Sequence, residues 1–135
     1  MIERHRLLQQ ISTIEAAQPL GHYAQAQRHN GLLYVSGLLP IPADGTLDSG
    51  NDFECQAELV LKNARAILTA GDSSFAEVVK TTVYVTDISN WGTFDRLYSA
   101  ELGSHRPARA VVPVPVLHHG FSIELEMIAT TKSGN

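Results

Sequence analysis

Arg106-Pro107-Ala108-Arg109-Ala110, an apolar run to Leu117, then His118-His119-Gly120 and Phe121-Ser122-Ile123-Glu124-Leu125-Glu126-Met127 form the stretch on which the reading of this chain turns. It reads as two strands joined by a short turn. Pro113 and Pro115 lie two apart, so both missing amide donors point the same way, and the first strand can bond on one side only. In the second, Ile123, Leu125, Met127 and Ala129 share one face, and Glu124, Glu126, Ile128 and Thr130 share the other. A guanidinium and a carboxylate at neighbouring strand ends are suited to binding a small acid and placing a water beside it.

Upstream of this pair the punctuation is clear. Phe53, Ala57, Val60, Leu61, Ala64, Ile67 and Leu68 recur on one helical face. Asn51 with Glu54 reads as a capping box, and Gly71 as a left-handed C-terminal stop. Val78 to Thr86 is dense in β-branched residues, with Val79, Thr81, Val83 and Val85 on one face. Trp91, Phe94, Leu97, Tyr98 and Leu102 mark a second helix from about Asn90, ended by Gly103. Nearer the start, Leu7, Leu8, Ile11 and Ile14 fit a helical face, but Ile11-Ser12-Thr13-Ile14 reads better as a short strand. Gln18 to His22 is a loop leading into Tyr23–Ala26, and Asn30-Gly31 is a tight turn. Leu32 to Ser36 is a buried strand ending at Gly37, followed by a loop or hairpin from Pro40 to Gly50. Thr131 to Asn135 reads as a frayed tail.

Two helices cannot cover both faces of the five- or six-stranded sheet this order implies, so both pack on one face. The other face is left bare, and a bare, partly apolar sheet face points to an oligomer. The expected fold class is α+β.

Composition sets the outer limits. A chain of 135 residues fits one domain that buries roughly two-thirds of its unfolded surface. A net charge of -4 without a Lys/Arg cluster argues against nucleic acid as the partner. No apolar run approaches a membrane span, and Met1 to Arg6 lacks a signal-peptide core. The single cysteine, Cys55, fits a reducing cytoplasm.

Glu124 and Arg109 are the chemical candidates. A lone strand glutamate ordinarily faces solvent, but Glu124 shares its face with Ile128 and belongs to a strand expected to lie beside that of Arg109. Partial desolvation there raises a carboxyl toward a useful general-base range. Arg109 is either a surface arginine lying along the strand end or a fork for a carboxylate. His118-His119 is a poor metal site, because adjacent strand residues point apart. Cys55 lies off its helix stripe with no evident base. Ser36 lacks the G-x-S-x-G elbow, and no glycine loop cradles a phosphate.

The set Gly21-His22-Tyr23-Ala24-Gln25-Ala26, Val35-Ser36-Gly37, Val79 to Asp87, Pro107-Ala108-Arg109 and Ile123-Glu124-Leu125-Glu126 resembles the reactive intermediate deaminase (RidA/YjgF) family, also labelled L-PSP endoribonucleases. The likeness runs from about Glu15 to Thr130. It implies a chorismate-mutase-like homotrimer with active sites between subunits. It also implies hydrolysis of reactive 2-imino acids to 2-keto acids and ammonia, without cofactor or metal. By position, Arg109 would grip the substrate carboxylate and Glu124 would orient or deprotonate water. Tyr23, Ser36 and Gly37 would line the pocket, together with Asp95 and Val111. Against the family pattern, Ala24 replaces a serine, His22 and His118 replace prolines, Asp95 replaces an asparagine, and Val111 stands where some members carry cysteine. Three functions compete: the 2-imino acid hydrolase, a carboxylate-binding regulatory module without turnover, and the ribonuclease of the family label.

Overall fold

The computed structural model describes residues 8–132; Leu7 and residues 133–135 of the expected tail lie outside them. Six strands form one mixed sheet: β1 (Gln9–Ile11), β2 (Ala26–His29), β3 (Leu32–Leu38), β4 (Val78–Val85), β5 (Ala108–Pro113) and β6 (Ile123–Thr130). Their order is β1-β2-β3-β6-β4-β5. Helices α1 (Phe53–Ala70) and α2 (Trp91–Leu102) cover one face, as the helix count requires.

The placement of β6 corrects the opening reading. β5 and β6 follow one another in sequence but do not pair. β5 runs parallel to β4, reached through α2, and β6 inserts antiparallel between β3 and β4. A strand–helix–strand passage makes a parallel neighbour, which an intervening tight turn cannot. The 3-10 turn His118–Gly120 instead carries the chain past the end of β4. β5 is the sheet edge, where Pro113 is tolerated, and Val114 N still donates to Val85 O at 2.9 Å.

The hairpin between β2 and β3 turns on Asn30 (φ 53°) and Gly31 (φ 79°), both left-handed, as its tight turn requires. The first strand is shorter and earlier than expected, and Ile14 is 84% exposed in the turn that follows. β3 continues through Gly37 to Leu38, with a register shift between Val35 and Leu38. A second shift, between Val78 and Lys80, turns Val79 outward and buries Val78 with Thr81, Val83 and Val85.

Helix α1 is capped by Asp52, not Asn51: its side chain accepts from Cys55 N at 2.9 Å. Glu54 instead meets Arg96 of α2 at 3.0 Å. Gly71 has φ -90°, so it is no left-handed stop; Asp72, at φ 60°, takes that conformation. Glycine is needed at 71 for room, since a Cβ there would come 2.6 Å from Leu33 Cδ2. In α2, Phe94, Tyr98 and Leu102 are buried, while Trp91 is exposed. Thr131 and Lys132 are held rather than frayed, their amides donating to Gly31 O and Asp72 O.

Three amide side chains fix the loops around this core. Gln25 is 3% exposed; its Nε2 donates to Thr13 O (3.1 Å) and Ala17 O (2.8 Å), and its Oε1 accepts from Thr13 N (2.7 Å). Asn63 Nδ2 donates to Leu39 O (3.3 Å) and Ile41 O (2.8 Å). Gln56 Nε2 donates to Ser49 O and Asn51 O, and its Oε1 accepts from Ser122 N. Each backbone group left unsatisfied on burial costs about 1–3 kcal/mol. Gln25→Leu is therefore expected to lower unfolding free energy by on the order of 3 kcal/mol, allowing for partial solvation of the freed groups. A urea titration checks this; an unchanged midpoint would show that Gln25 does not hold the 13–17 loop.

Candidate functional site

Strand β6 presents Glu124 on the uncovered sheet face, opposite Tyr84 of β4. The register shift in β3 brings Gly37 against it, and a Cβ at Gly37 would overlap Glu124 Oε2. A side chain at 37 would thus displace the Glu124 carboxylate from its present position, and no left-handed backbone angle calls for glycine there. Ser36 Oγ donates to Ala24 O at 2.6 Å and Ser36 N to Gln25 O at 3.0 Å, tying the irregular segment to the chain entering β2. Tyr23 is half-exposed nearby, its hydroxyl accepting from Leu20 N at 3.3 Å.

Burial pushes the Glu124 carboxyl above its ordinary range; His118 opposes the shift and Glu126 adds to it. Among the described residues no group donates a hydrogen bond to Glu124, so its lone pairs are free to take a proton from water. Glu126, two residues on, accepts from Tyr84 OH at 2.9 Å, and that bond raises the Tyr84 hydroxyl.

A cavity of about 310 Å³ lies between the 16–23 loop, the end of β3 and helix α1; Glu124 does not line it, but two of its lining residues, Gly37 and His118, neighbour the carboxylate. Tyr23 and His119 line it as well, and Gln25 and Asn63 hold its walls.

Arg109 belongs to a different place. It pairs in register with Thr81, and paired residues share a face, so its side chain lies on the helix side of the sheet. There Arg109 Nη1 donates to Asp95 Oδ1 at 2.6 Å, and the guanidinium stands 5.2 Å from the Tyr98 ring centroid. Tyr98 is itself fixed by a 2.8 Å bond from its hydroxyl to Thr81 Oγ1. Asp95, Tyr98, Arg106 and Arg109 border a depression of about 560 Å³ at the end of α2. Val111 follows Arg109 on the same face and packs against the core.

The residues singled out by sequence therefore form two groups. Tyr23, Ser36, Gly37 and Glu124 gather at one end of β3 and β6, and Arg109, Asp95 and Val111 lie across β4 on the opposite face. The expected adjacency of Arg109 and Glu124 within one chain does not occur, because β4 separates their strands. Among the described residues no three His, Cys, Asp or Glu side chains are grouped to hold a metal. Cys55 is exposed, and Asp52 beside it pushes its thiol up, away from thiolate chemistry.

Sequence reasoning missed the buried amides, and read His118 as a poor metal ligand and as a departure from the family pattern that bears on which acid fits. A signal existed for two of them: Gln56 lies three residues after Phe53, and Asn63 three after Val60 and four before Ile67. Both are polar groups set among helix core positions. Gln25, in an irregular segment, had no periodicity to expose it.

The Endoribonuclease L-PSP family matches residues 13–131. The putative regulator AldR of Lactococcus lactis is 40% identical over 124 residues, covering 91% of this chain and 98% of that protein. The 2-iminobutanoate/2-iminopropanoate deaminase of Rattus norvegicus is 40% identical over 120 residues, covering 88% and 87%. The crystal structure of E. coli TdcF with bound serine has a TM-score of 0.84 at 29% identity, covering 92% of this chain and 99% of that one. Matched over nearly its whole length in sequence and in fold, this chain belongs to the Endoribonuclease L-PSP family, the RidA/YjgF family its motifs resemble.

Proposed function

We propose that the protein hydrolyses 2-imino acids to 2-keto acids and ammonia, without a cofactor, in the cytoplasm. The observation that carries this reading is Glu124: a half-buried carboxylate, raised by desolvation, without a donor, and seated against a glycine that leaves space beside it. In the reaction R–C(=NH2+)–COO- plus H2O gives R–CO–COO- plus NH4+. Glu124 takes a proton from water as its oxygen adds to the imine carbon, and the proton returns to nitrogen as the carbinolamine expels ammonia. Arg109 keeps donors beyond the one given to Asp95 and holds the substrate carboxylate. Since the imine carbon is already electrophilic, positioning and one base are sufficient.

Arg109 and Glu124 reach one substrate only if they come from two chains. The reading therefore includes a homotrimer that closes the uncovered sheet face and sets Arg109 of one subunit at the Glu124 cavity of the next. Buried Gln27 Oε1 on that face has no partner among the described residues, which supports a covering chain. The likeness to the rat deaminase supports the chemistry, and serine bound to TdcF supports an amino-acid-sized ligand. No membrane or nucleic acid enters this reading: no described helix is long and apolar enough to cross a membrane, and the net charge of -4 repels a polyanion, which disfavours the ribonuclease.

A second reading, a carboxylate-binding regulator without turnover, is favoured by one observation: Asp95 occupies part of the Arg109 fork. The similarity to the putative regulator AldR points the same way.

Kinetics separate the two. With 2-iminopropanoate and 2-iminobutanoate generated by an amino-acid oxidase, the protein is expected to reduce trapping by semicarbazide. Arg109→Ala should lower kcat/KM by on the order of 100-fold. Asp95→Asn should tighten inhibition by the 2-keto acid by up to about tenfold, since it removes a negative charge beside the bound anion. Ligand-induced stabilisation with no effect on trapping would leave only the regulator.

The pH dependence has a definite sign. Because the folded carboxyl of Glu124 is raised, kcat/KM should climb with pH through that raised value, above the ordinary glutamate range. Its contribution to stability is present below the unfolded value and is lost as pH rises through the folded one. Glu124→Gln should thus abolish turnover yet raise Tm at neutral pH, with the gain vanishing in acid. A variant that is inactive and no more stable at neutral pH than in acid would contradict the desolvated base. The trimer is read from light scattering, where the expected mass is three times 14.7 kDa and a monomer at micromolar concentration contradicts it.

A further inference from the structure

The cavity that shares Gly37 and His118 with the surroundings of Glu124 is larger and more apolar than the addition of water to an imine requires. A 2-imino acid carries both its polar groups, the carboxylate and the imine, at one end. Arg109 and Glu124 account for that end, and the rest of the molecule is its side chain. At about 310 Å³, the cavity has room for a branched alkyl group or an aromatic ring.

Its lining says which side chain. Ala16, Leu20, Leu38, Leu39, Ile41 and Ile67 contribute walls, and no Asp, Glu, Lys or Arg lines it. The three amides that reach it, Gln18, Gln25 and Asn63, give their donors to the backbone, Gln18 Nε2 to Thr13 O and Ala16 O. Gln25 has its NH2 and its oxygen bound to the backbone of Thr13 and Ala17, and Asn63 gives its NH2 to Leu39 O and Ile41 O. The remaining polar side chains of the lining are Tyr23, His118 and His119, and Gly37 of the same lining lies against Glu124. A cationic or anionic side chain placed inside would lose its water without gaining a partner, whereas an apolar one loses only unfavourable hydration.

We infer that this cavity is the side-chain subsite, and that the protein acts on 2-imino acids with large apolar side chains in preference to the alanine-derived one. The inference rests on the deaminase reading of Glu124 and Arg109, and adds to it the class of acid that fits.

The test compares imines made in place by an amino-acid oxidase from leucine, phenylalanine and alanine. The wild-type protein is expected to show kcat/KM at least about tenfold higher for the first two. Two variants fill the cavity from different sides, Ala17→Leu within and Leu20→Trp at its exposed rim, so one misfolded variant does not decide the matter. In both, the leucine-to-alanine and phenylalanine-to-alanine ratios should fall toward one. A flat or alanine-favouring wild type, or variants that lower all three substrates in parallel, overturns the subsite. If no imine is hydrolysed, the deaminase reading fails, and the subsite is judged by thermal shift with the three corresponding 2-keto acids. Stabilisation by 4-methyl-2-oxopentanoate and phenylpyruvate over pyruvate, lost in the filled variants, keeps it; equal or absent responses remove it.

Discussion

A strand sends successive side chains to opposite faces of its sheet, and at β4, β5 and β6 this constraint decides where chemistry can occur. Strand β6 lies between β3 and β4, so one of its faces is fully committed to the core through Ile123, Leu125, Met127 and Ala129. Glu124 must then stand on the other face, flanked by strands on both sides and partly desolvated by them. Arg109 is bound by the same rule in the opposite sense. Its pairing with Thr81 turns it beneath α2, where Tyr98 and Asp95 meet it. A slip of one residue in β5 would exchange Arg109 and Val111 for alanines on the helix face, so the register that buries Val111 also places the guanidinium. Arg109 and Glu124 are thus separated by the logic of the sheet, and the proposed mechanism, which uses both, needs a second chain.

The buried amides connect this frame to the shape of the site. Loops carry backbone donors and acceptors that must be paired if the loop is to be held against the core. Gln25 closes the 13–17 segment on itself, and Asn63 reaches from α1 to the carbonyls of Leu39 and Ile41. These bonds keep open a space that apolar side chains would otherwise collapse into. They also consume the polar capacity of the walls. The same interactions therefore set both the size of the cavity and the apolar character of its walls.

Much of the fold was legible in sequence because periodicity and turn chemistry are local. The helix stripes of Phe53–Ala70 and Trp91–Leu102, the Asn30-Gly31 turn and the alternation in Ile123–Thr130 all rest on neighbouring residues. Pro113 was informative, since a missing donor is tolerated at an edge, whereas Pro115 lies beyond the end of β5. What was not legible depends on distant partners. Nothing near Arg109 states that β6 will insert on the far side of β4, and nothing near Val79 announces the register shift that turns it outward. Gly71 and Gly37 were read as local stops, whereas the absence of a side chain at each makes room for one far along the chain, Leu33 and Glu124 respectively. For the site, Arg109 and Glu124 were recognisable by type, but their separation onto opposite faces was not.

The Arg109–Asp95 pair gives the site an electrostatic asymmetry that follows from the proposed chemistry. The protonated imine of a 2-imino acid is a zwitterion without net charge, whereas the 2-keto acid that remains after ammonium departs carries one negative charge. Tyr98 fixes the guanidinium plane and Asp95 takes one of its donors, which leaves the fork ordered for a carboxylate but partly neutralised. A carboxylate near Arg109 therefore penalises the product more than the substrate. An asparagine at 95 could hold the same nitrogen without that distinction. Weaker holding of every anion is the accompanying effect, and it need not slow the reaction where binding energy common to substrate and transition state adds nothing to kcat. On this argument the residue that departs from the family pattern need not spoil the fork; it shifts the balance between capture and release.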